Sequence, residues 1–195
     1  MTGHCSSSHR DGQAHRARER AVVLSLGSNL GDRMASLQLG ADVLAAGGLC
    51  CPAVSGVFET APVGGPEQAD YLNAVLLAVT ALPATEILAL AAVAEAAAGR
   101  VRTVHWGPRT LDVDIITCGD EVSARPELTL PHPRAHERAF VLAPWLEVDP
   151  DAVLPGWGPV AQLLATIGTA GVRRRAELSL TLPALAGREA GVPCT

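Results

Sequence analysis

The sequence predicts an α+β fold: a ferredoxin-like βαββαβ core with extra C-terminal strand and helices, its antiparallel sheet covered by helices. Two observations carry this. Segments of helical and of strand periodicity alternate in the order strand, helix, strand, strand, helix, strand. Gly and Pro clusters punctuate each join.

The elements follow in order. Ala21 to Leu26 is a short apolar run ending at Gly27, which reads as a strand. From Asp32 the apolar residues Met34, Leu37, Ala41 and Leu44 recur at helical spacing until Gly47 and Gly48 stop the helix. Ala53 to Glu59 and Tyr71 to Thr80 read as two strands, joined by Ala61-Pro62-Val63-Gly64-Gly65-Pro66, a loop too rich in Pro and Gly for regular structure. A second helix runs from Ala84 to Ala98, entered at Pro83 and stopped by Gly99. The fourth strand spans Thr110 to Thr117. Beyond Gly119 come a short strand at Leu128 to Leu130, a Pro131-His132-Pro133 turn, and helical segments near Glu137 to Leu146 and Val160 to Ile167.

In domain terms the reading is a disordered leader over 1–20, one catalytic domain over 21–167 and a flexible tail over 168–195. The leader is rich in Ser, His, Arg and Gly and shows no apolar periodicity. It does not resemble a signal peptide, and no apolar run is long enough to span a bilayer, so a cytoplasmic protein is expected. Five cysteines, an odd count without a Cys-x-x-Cys pair, argue for reduced thiols. The formal net charge of −5 offers no field for a nucleic-acid backbone. No nucleic-acid or membrane partner is therefore expected; a monomer acting on small molecules is the accompanying expectation.

All fifteen residues counted as Lys plus Arg are arginines. Without lysine there is no Walker-type loop and no Schiff base. Any grip on phosphate must come from arginine and histidine.

In the fourth strand, period two sets Leu111, Val113 and Ile115 on one face and Asp112 and Asp114 on the other. Residues two apart on a strand lie roughly 6 to 7 Å apart, a spacing at which two carboxylates can share a pair of metal ions. The preceding segment, Arg100 to Arg109, holds Arg100, Arg102, His105 and Arg109 without an acidic residue. A cationic loop entering an anionic strand suits a polyphosphate whose remaining charge is neutralised by magnesium. An isolated Asp-x-Asp is more often a solvated strand face, and loop arginines are often merely solvated. Their combination favours chemistry.

Three stretches, Gly27-Ser28-Asn29-Leu30-Gly31-Asp32, Asp70-Tyr71-Leu72-Asn73 and the run from Arg100 to Asp114, resemble the 6-hydroxymethyl-7,8-dihydropterin pyrophosphokinase family. A fourth, Leu128 to Phe140, is similar to that family's C-terminal half. The resemblance covers roughly residues 22–164. It implies transfer of pyrophosphate from ATP to the hydroxymethyl oxygen of a reduced pterin, releasing AMP, in folate synthesis. It implies Arg100 and Arg109 as catalytic arginines, and Asp112 and Asp114 as catalytic ligands of two Mg2+ ions. On the ATP side it implies Glu95, Arg102, His105, Trp106, Ile115, Thr129, His132 and Arg138. On the pterin side it implies Thr60, Val63, Tyr71, Asn73 and Phe140, where two aromatic faces and an amide suit a flat heterocycle. His105 departs from the family's usual arginine, which implies phosphate binding that is weaker or pH-dependent.

Two other classes fit less well. A nucleotidyltransferase expects its acidic pair shortly after the Gly-Ser turn, whereas here a helix, two strands and another helix intervene. It would release pyrophosphate rather than AMP. An RNA-recognition module shares the topology but uses sheet aromatics for stacking. This chain has 3% aromatics and two aspartates on the strand. RNA affinity without ATP turnover would favour that module.

Overall fold

A computed structural model describes residues 19–62, 67–100 and 107–182. The six-segment core is built as the periodicity implies. Strand β1 (Arg20–Ser28) leads into helix α1 (Arg33–Ala46), which Asp32 caps by accepting the Ala35 N–H at 3.0 Å. The expected second strand is two: β2 (Cys50–Val54) and β3 (Val57–Thr60) are separated at Ser55-Gly56. Ser55 N donates to Val75 O at 2.9 Å, and Val75 N donates to Ser55 Oγ at 2.9 Å. The serine hydroxyl thus replaces a ladder carbonyl and breaks the strand without leaving a buried donor unpaired. Strand β4 (Tyr71–Thr80), helix α2 (Ala84–Ala97) and strand β5 (Asp112–Cys118) complete the core. A hairpin of β6 (Ser123–Arg125) and β7 (Leu128–Leu130) precedes helix α3 (Ala139–Val148). The two short strands β8 (Val153–Leu154) and β9 (Gly158–Pro159) precede helix α4 (Val160–Ile167), and β10 (Val172–Arg175) follows it.

The main sheet runs β10-β3-β4-β1-β5, with β2 also paired to β4, and every pairing is antiparallel. The inner order β3-β4-β1-β5 is that of the ferredoxin-like core. The flexible tail expected from 168 is overturned over its described part. Residues 172–175 pair with β3, and Leu178, Leu180 and Leu182 pack on the core. Arginines hide this strand from a hydrophobicity reading. Arg173 and Arg175 pair with Glu59, and Arg174 pairs with Glu147 of α3.

The sheet buries both faces, which explains why β1 reads as a continuous apolar run rather than an alternation. Val22, Leu24 and Leu26 join Leu37, Ala41 and Leu44 of α1 and Ile87, Ala91 and Ala94 of α2 on one side. Val23, Val75 and Ile116 face the other side, against Val141, Leu142 and Trp145 of α3. Gly40 lets α1 approach closely: a Cβ there would lie 3.0 Å from Leu111 Cδ2 and 3.2 Å from Leu26 Cδ2. Cys51 and Cys118 are buried free thiols. No helix among the described residues is long and apolar enough to cross a membrane.

Candidate active site

The α3 face of the sheet changes character along its strands. At one end Val23, Val75 and Ile116 pack in the core. Two and four residues toward the other end, the same face carries Ser25 and Gly27 on β1, Asn73 and Tyr71 on β4, and Asp114 and Asp112 on β5. Helix α3 covers the apolar end and leaves the polar end open as a cavity of about 460 Å3. Register aligns its floor: Gly27 pairs with Asn73 on one side and Asp112 on the other, and Ser25 pairs with Asp114.

Eight of the expected site residues line this cavity: Thr60, Tyr71, Asn73, Arg109, Asp112, Asp114, Arg138 and Phe140. Asn73 Nδ2 donates to Thr60 Oγ1 at 2.9 Å, which turns its Oδ1 toward the Gly27 floor. Burial raises the Tyr71 phenol, and Asp112 adds to the rise while Arg109 and Arg100 oppose it. Arg138 sits 5.5 Å from the centre of the Phe140 ring and donates to Asp114 Oδ2 at 2.7 Å.

The carboxylates are the electrostatic centre. Arg100 donates to Asp112 Oδ1 at 2.7 Å, and Arg109 donates to Asp112 Oδ2. Burial opposes the charge on Arg109, but Asp112 more than restores it, so the guanidinium is held charged above its ordinary range. Just behind the cavity Glu95, buried on α2, accepts from Arg100 and also from the Val113 N–H at 3.0 Å. Glu95 therefore fixes Arg100 and the backbone between the two aspartates together. His132 Nε2 lies 3.7 Å from Asp114 Oδ2, and its Nδ1 accepts the Arg134 N–H at 3.2 Å. Burial lowers the imidazole pKa and Asp114 opposes that shift, so the ring is biased toward its neutral form.

Arg100, Glu95 and His132 hold the aspartates or their strand without lining the cavity, and two expected residues are turned away from the site. Ile115 points into the core on the α1 and α2 side, opposite the aspartates, and Thr129 Oγ1 donates to Arg125 O on the β6-β7 hairpin. Four more, Val63, Arg102, His105 and Trp106, lie outside the described residues. Sequence reasoning missed Ser25, Gly27, Arg134, Glu137 and, at the entry to β10, Ala170, Gly171 and Val172, all of which line the cavity. Period two from Val23 marks Ser25 and Gly27. The β10 residues carry no such local signal.

The donor set fits magnesium. Asp112 and Asp114 offer hard oxygens on one open strand face, and no group of three or more His, Cys, Asp or Glu converges among the described residues. Mg2+ characteristically takes one or two carboxylates and completes its shell with water and substrate phosphate. Arg100, Arg109 and Arg138 pair with these carboxylates, and guanidinium groups suit phosphate oxygens as well.

Comparisons with known proteins identify the family. The family model for 7,8-dihydro-6-hydroxymethylpterin-pyrophosphokinase matches residues 23–150. A Mycobacterium tuberculosis protein named 2-amino-4-hydroxy-6-hydroxymethyldihydropteridine pyrophosphokinase is 52% identical over 160 residues, covering 75% of this chain and 83% of the relative. A Bacillus subtilis protein of the same name is 41% identical over 128 residues, covering 65% of this chain and 77% of the relative. Among solved structures, the Plasmodium falciparum HPPK-DHPS wild type with pterin and p-hydroxybenzoate superposes with a TM-score of 0.57 at 12% identity. That match covers 80% of this chain and 45% of the longer Plasmodium chain, and it speaks for the fold alone. The chain belongs to the 7,8-dihydro-6-hydroxymethylpterin-pyrophosphokinase family.

Proposed function

We propose that this enzyme transfers pyrophosphate from ATP to the hydroxymethyl group of 6-hydroxymethyl-7,8-dihydropterin, releasing AMP, as a step of tetrahydrofolate synthesis. The observation that carries the reading is the cavity in which Asp112, Asp114 and Arg109 face Tyr71, Asn73 and Phe140. One half is built for phosphate and the other for a flat heterocycle with polar edges.

Asp112 and Asp114 would hold two Mg2+ ions. The bound ions would supply charge neutralisation across the triphosphate and lower the cost of bringing an anionic phosphoryl group to a hydroxyl. Arg100 and Arg109 would take up charge on the transferring group, with Arg102, His105, Trp106, His132 and Arg138 toward the ATP side. Glu95 holds Arg100 in place by an ion pair. Ile115 and Thr129, placed away from the cavity, support that side as scaffold. On the pterin side Tyr71 and Phe140 offer aromatic faces and Asn73 an acceptor, its amide fixed by Thr60, with Val63 from the following loop. Covering the substrates excludes water, which would otherwise compete as acceptor of the pyrophosphoryl group. No side chain is placed as a dedicated general base in this reading. The rate comes from alignment of hydroxyl and β-phosphorus and from fixed charge.

The partners are small molecules. A net charge of −5 supports neither a nucleic-acid nor an anionic-membrane partner. A monomer is the oligomeric state in this reading. A cytoplasmic location agrees with the pathway and with the absence of a spanning helix among the described residues.

The test is AMP release from ATP and Mg2+, with and without the pterin, for wild type, Asp112→Ala and Asp114→Ala. Pterin-dependent AMP lost in both variants supports the activity and the metal site together. Pterin-independent turnover, or full activity in either variant, refutes the assignment of those roles.

A further inference from the structure

We propose that Asn29 is a positioning residue that ties the pterin-side loop to the backbone of Arg109, so that the two halves of the site are set by one amide. The proposal rests on the activity above, but its geometry stands apart from it.

Asn29 follows the last residue of β1, does not line the cavity, and is 3% exposed. Its groups reach two distant segments. The Asn29 N–H donates to Arg109 O at 3.0 Å, and the Arg109 N–H donates to Asn29 Oδ1 at 2.7 Å. This reciprocal pair grips the Arg109 backbone as a strand partner would, just before the turn into β5. On its other side Asn29 Nδ2 donates to Gln68 Oε1 at 2.9 Å and to Ala69 O at 3.1 Å. Residues 67–70 lead directly into Tyr71, and Arg33 holds the same loop by donating to Asp70 O at 2.7 Å.

The chemistry is specific to a short primary amide. Asn is the side chain of this length that offers an acceptor on one side and two donors on the other. Aspartate would keep the acceptor for Arg109 but would set a second acceptor against Gln68 Oε1 and Ala69 O. Alanine would lose every side-chain bond, keep only the backbone N–H to Arg109 O, and leave the part-buried Arg109 N–H without its partner. Gln68 and Arg109 both line the cavity, so each arm of Asn29 ends on a group that meets substrate. The pterin-side arm governs loop 67–70, whereas the Arg109 arm governs the guanidinium on Asp112.

The arms separate in Asn29→Asp, Asn29→Ala and Gln68→Ala, assayed for pterin-dependent AMP release and for amide hydrogen exchange. Asn29→Asp and Gln68→Ala are expected to raise KM for the pterin roughly fivefold to tenfold, the loss of about one hydrogen bond, with kcat within about threefold of wild type. Their effects should add only in part in the double variant, because both remove the Asn29–Gln68 bond while Asn29→Asp also loses the bond to Ala69 O. Asn29→Ala is expected to lower kcat as well, by at least about tenfold, and to speed exchange of the Arg109 amide, which Asn29→Asp should leave protected. Exchange reads the clamp independently of turnover, so a silent wild type would count against the activity and not against the clamp. An Arg109 amide exchanging at the wild-type rate in folded Asn29→Ala overturns the proposal. So do fully additive effects of Asn29→Asp and Gln68→Ala, or a pterin KM unchanged in both.

Discussion

Arg100 donates from Nη1 to Oδ1 of Asp112 at 2.7 Å, and so occupies one oxygen of a carboxylate whose other oxygen takes Arg109. The two arginines differ in their surroundings. The Arg100 side chain is mostly buried and is shared with Glu95, whereas Arg109 is about one-third exposed. Arg100→Ala would leave Glu95 buried without this counter-charge, at a cost of about 2–4 kcal/mol, while Arg109→Ala should cost under about 1 kcal/mol. Both should lower AMP formation at least about a hundredfold. Denaturant unfolding beside the AMP assay checks the contrast, and equal stability losses would show that Glu95 does not depend on Arg100.

Gly27 forms the cavity floor between Asn73 and Asp112. A Cβ there would meet Asn73 Oδ1 at 3.3 Å and Tyr71 Cδ1 at 3.7 Å, a tight fit at one contact and an ordinary one at the other. Gly27→Ala should therefore fold with a stability change of about 1 kcal/mol or less and bind the pterin roughly tenfold more weakly, as Asn73 shifts. Wild-type pterin affinity measured by direct titration would show that the floor has room to spare.

Glu59 anchors β10. Its carboxylate is 8% exposed, and Arg173 is the main cause that holds its pKa down to about 2 from 4.5, with Arg175 and Arg33 helping against burial, which raises it. Because the folded value is depressed, the stabilisation is fully present above pH 4.5 and is lost as pH falls toward 2. Glu59→Gln should lower stability at pH 7 by about 1–3 kcal/mol, and the gap from wild type should narrow below pH 4.5. A gap that stays constant across this window would show that the carboxylate charge is not what holds the strand.

His105, in the cationic segment before β5, is expected to bind phosphate better when protonated. Lowering the pH through about 6.5 should tighten ATP binding in wild type and not in His105→Ala. Isothermal titration across that range decides the matter: a flat wild-type profile, or the same slope in the variant, removes the role.

The strand that carries Asp112 and Asp114 was readable because its information is local. Alternation over Leu111 to Ile115 puts Asp112 and Asp114 on one face whatever surrounds them, and the structure keeps both on the cavity. The helix over Arg33–Ala46 was readable for the same reason, since its apolar spacing, the Asp32 cap and the glycine stop all lie within one stretch of chain. The break at Ser55-Gly56 escaped that reading. Val57 and Phe58 continue the apolar pattern, and only pairing with Val75 makes the Ser55 hydroxyl a substitute for a ladder carbonyl.

By itself the sequence determined the strand-helix order of the core, the shared face of the two aspartates, the concentration of cationic groups before them and the exclusion of lysine chemistry. Each follows from periodicity or composition within a few residues. The tertiary structure alone decided which end of the sheet α3 leaves open, that β10 adds an edge strand beside β3, and that Asn29 meets Arg109 and Gln68. Those outcomes depend on partners 39 to 116 residues away in the chain, as for Asn29 with Gln68 and Glu59 with Arg175. A hydrogen bond or ion pair between such distant groups leaves no period in the sequence, because its energy is realised only once the sheet has brought its ends together.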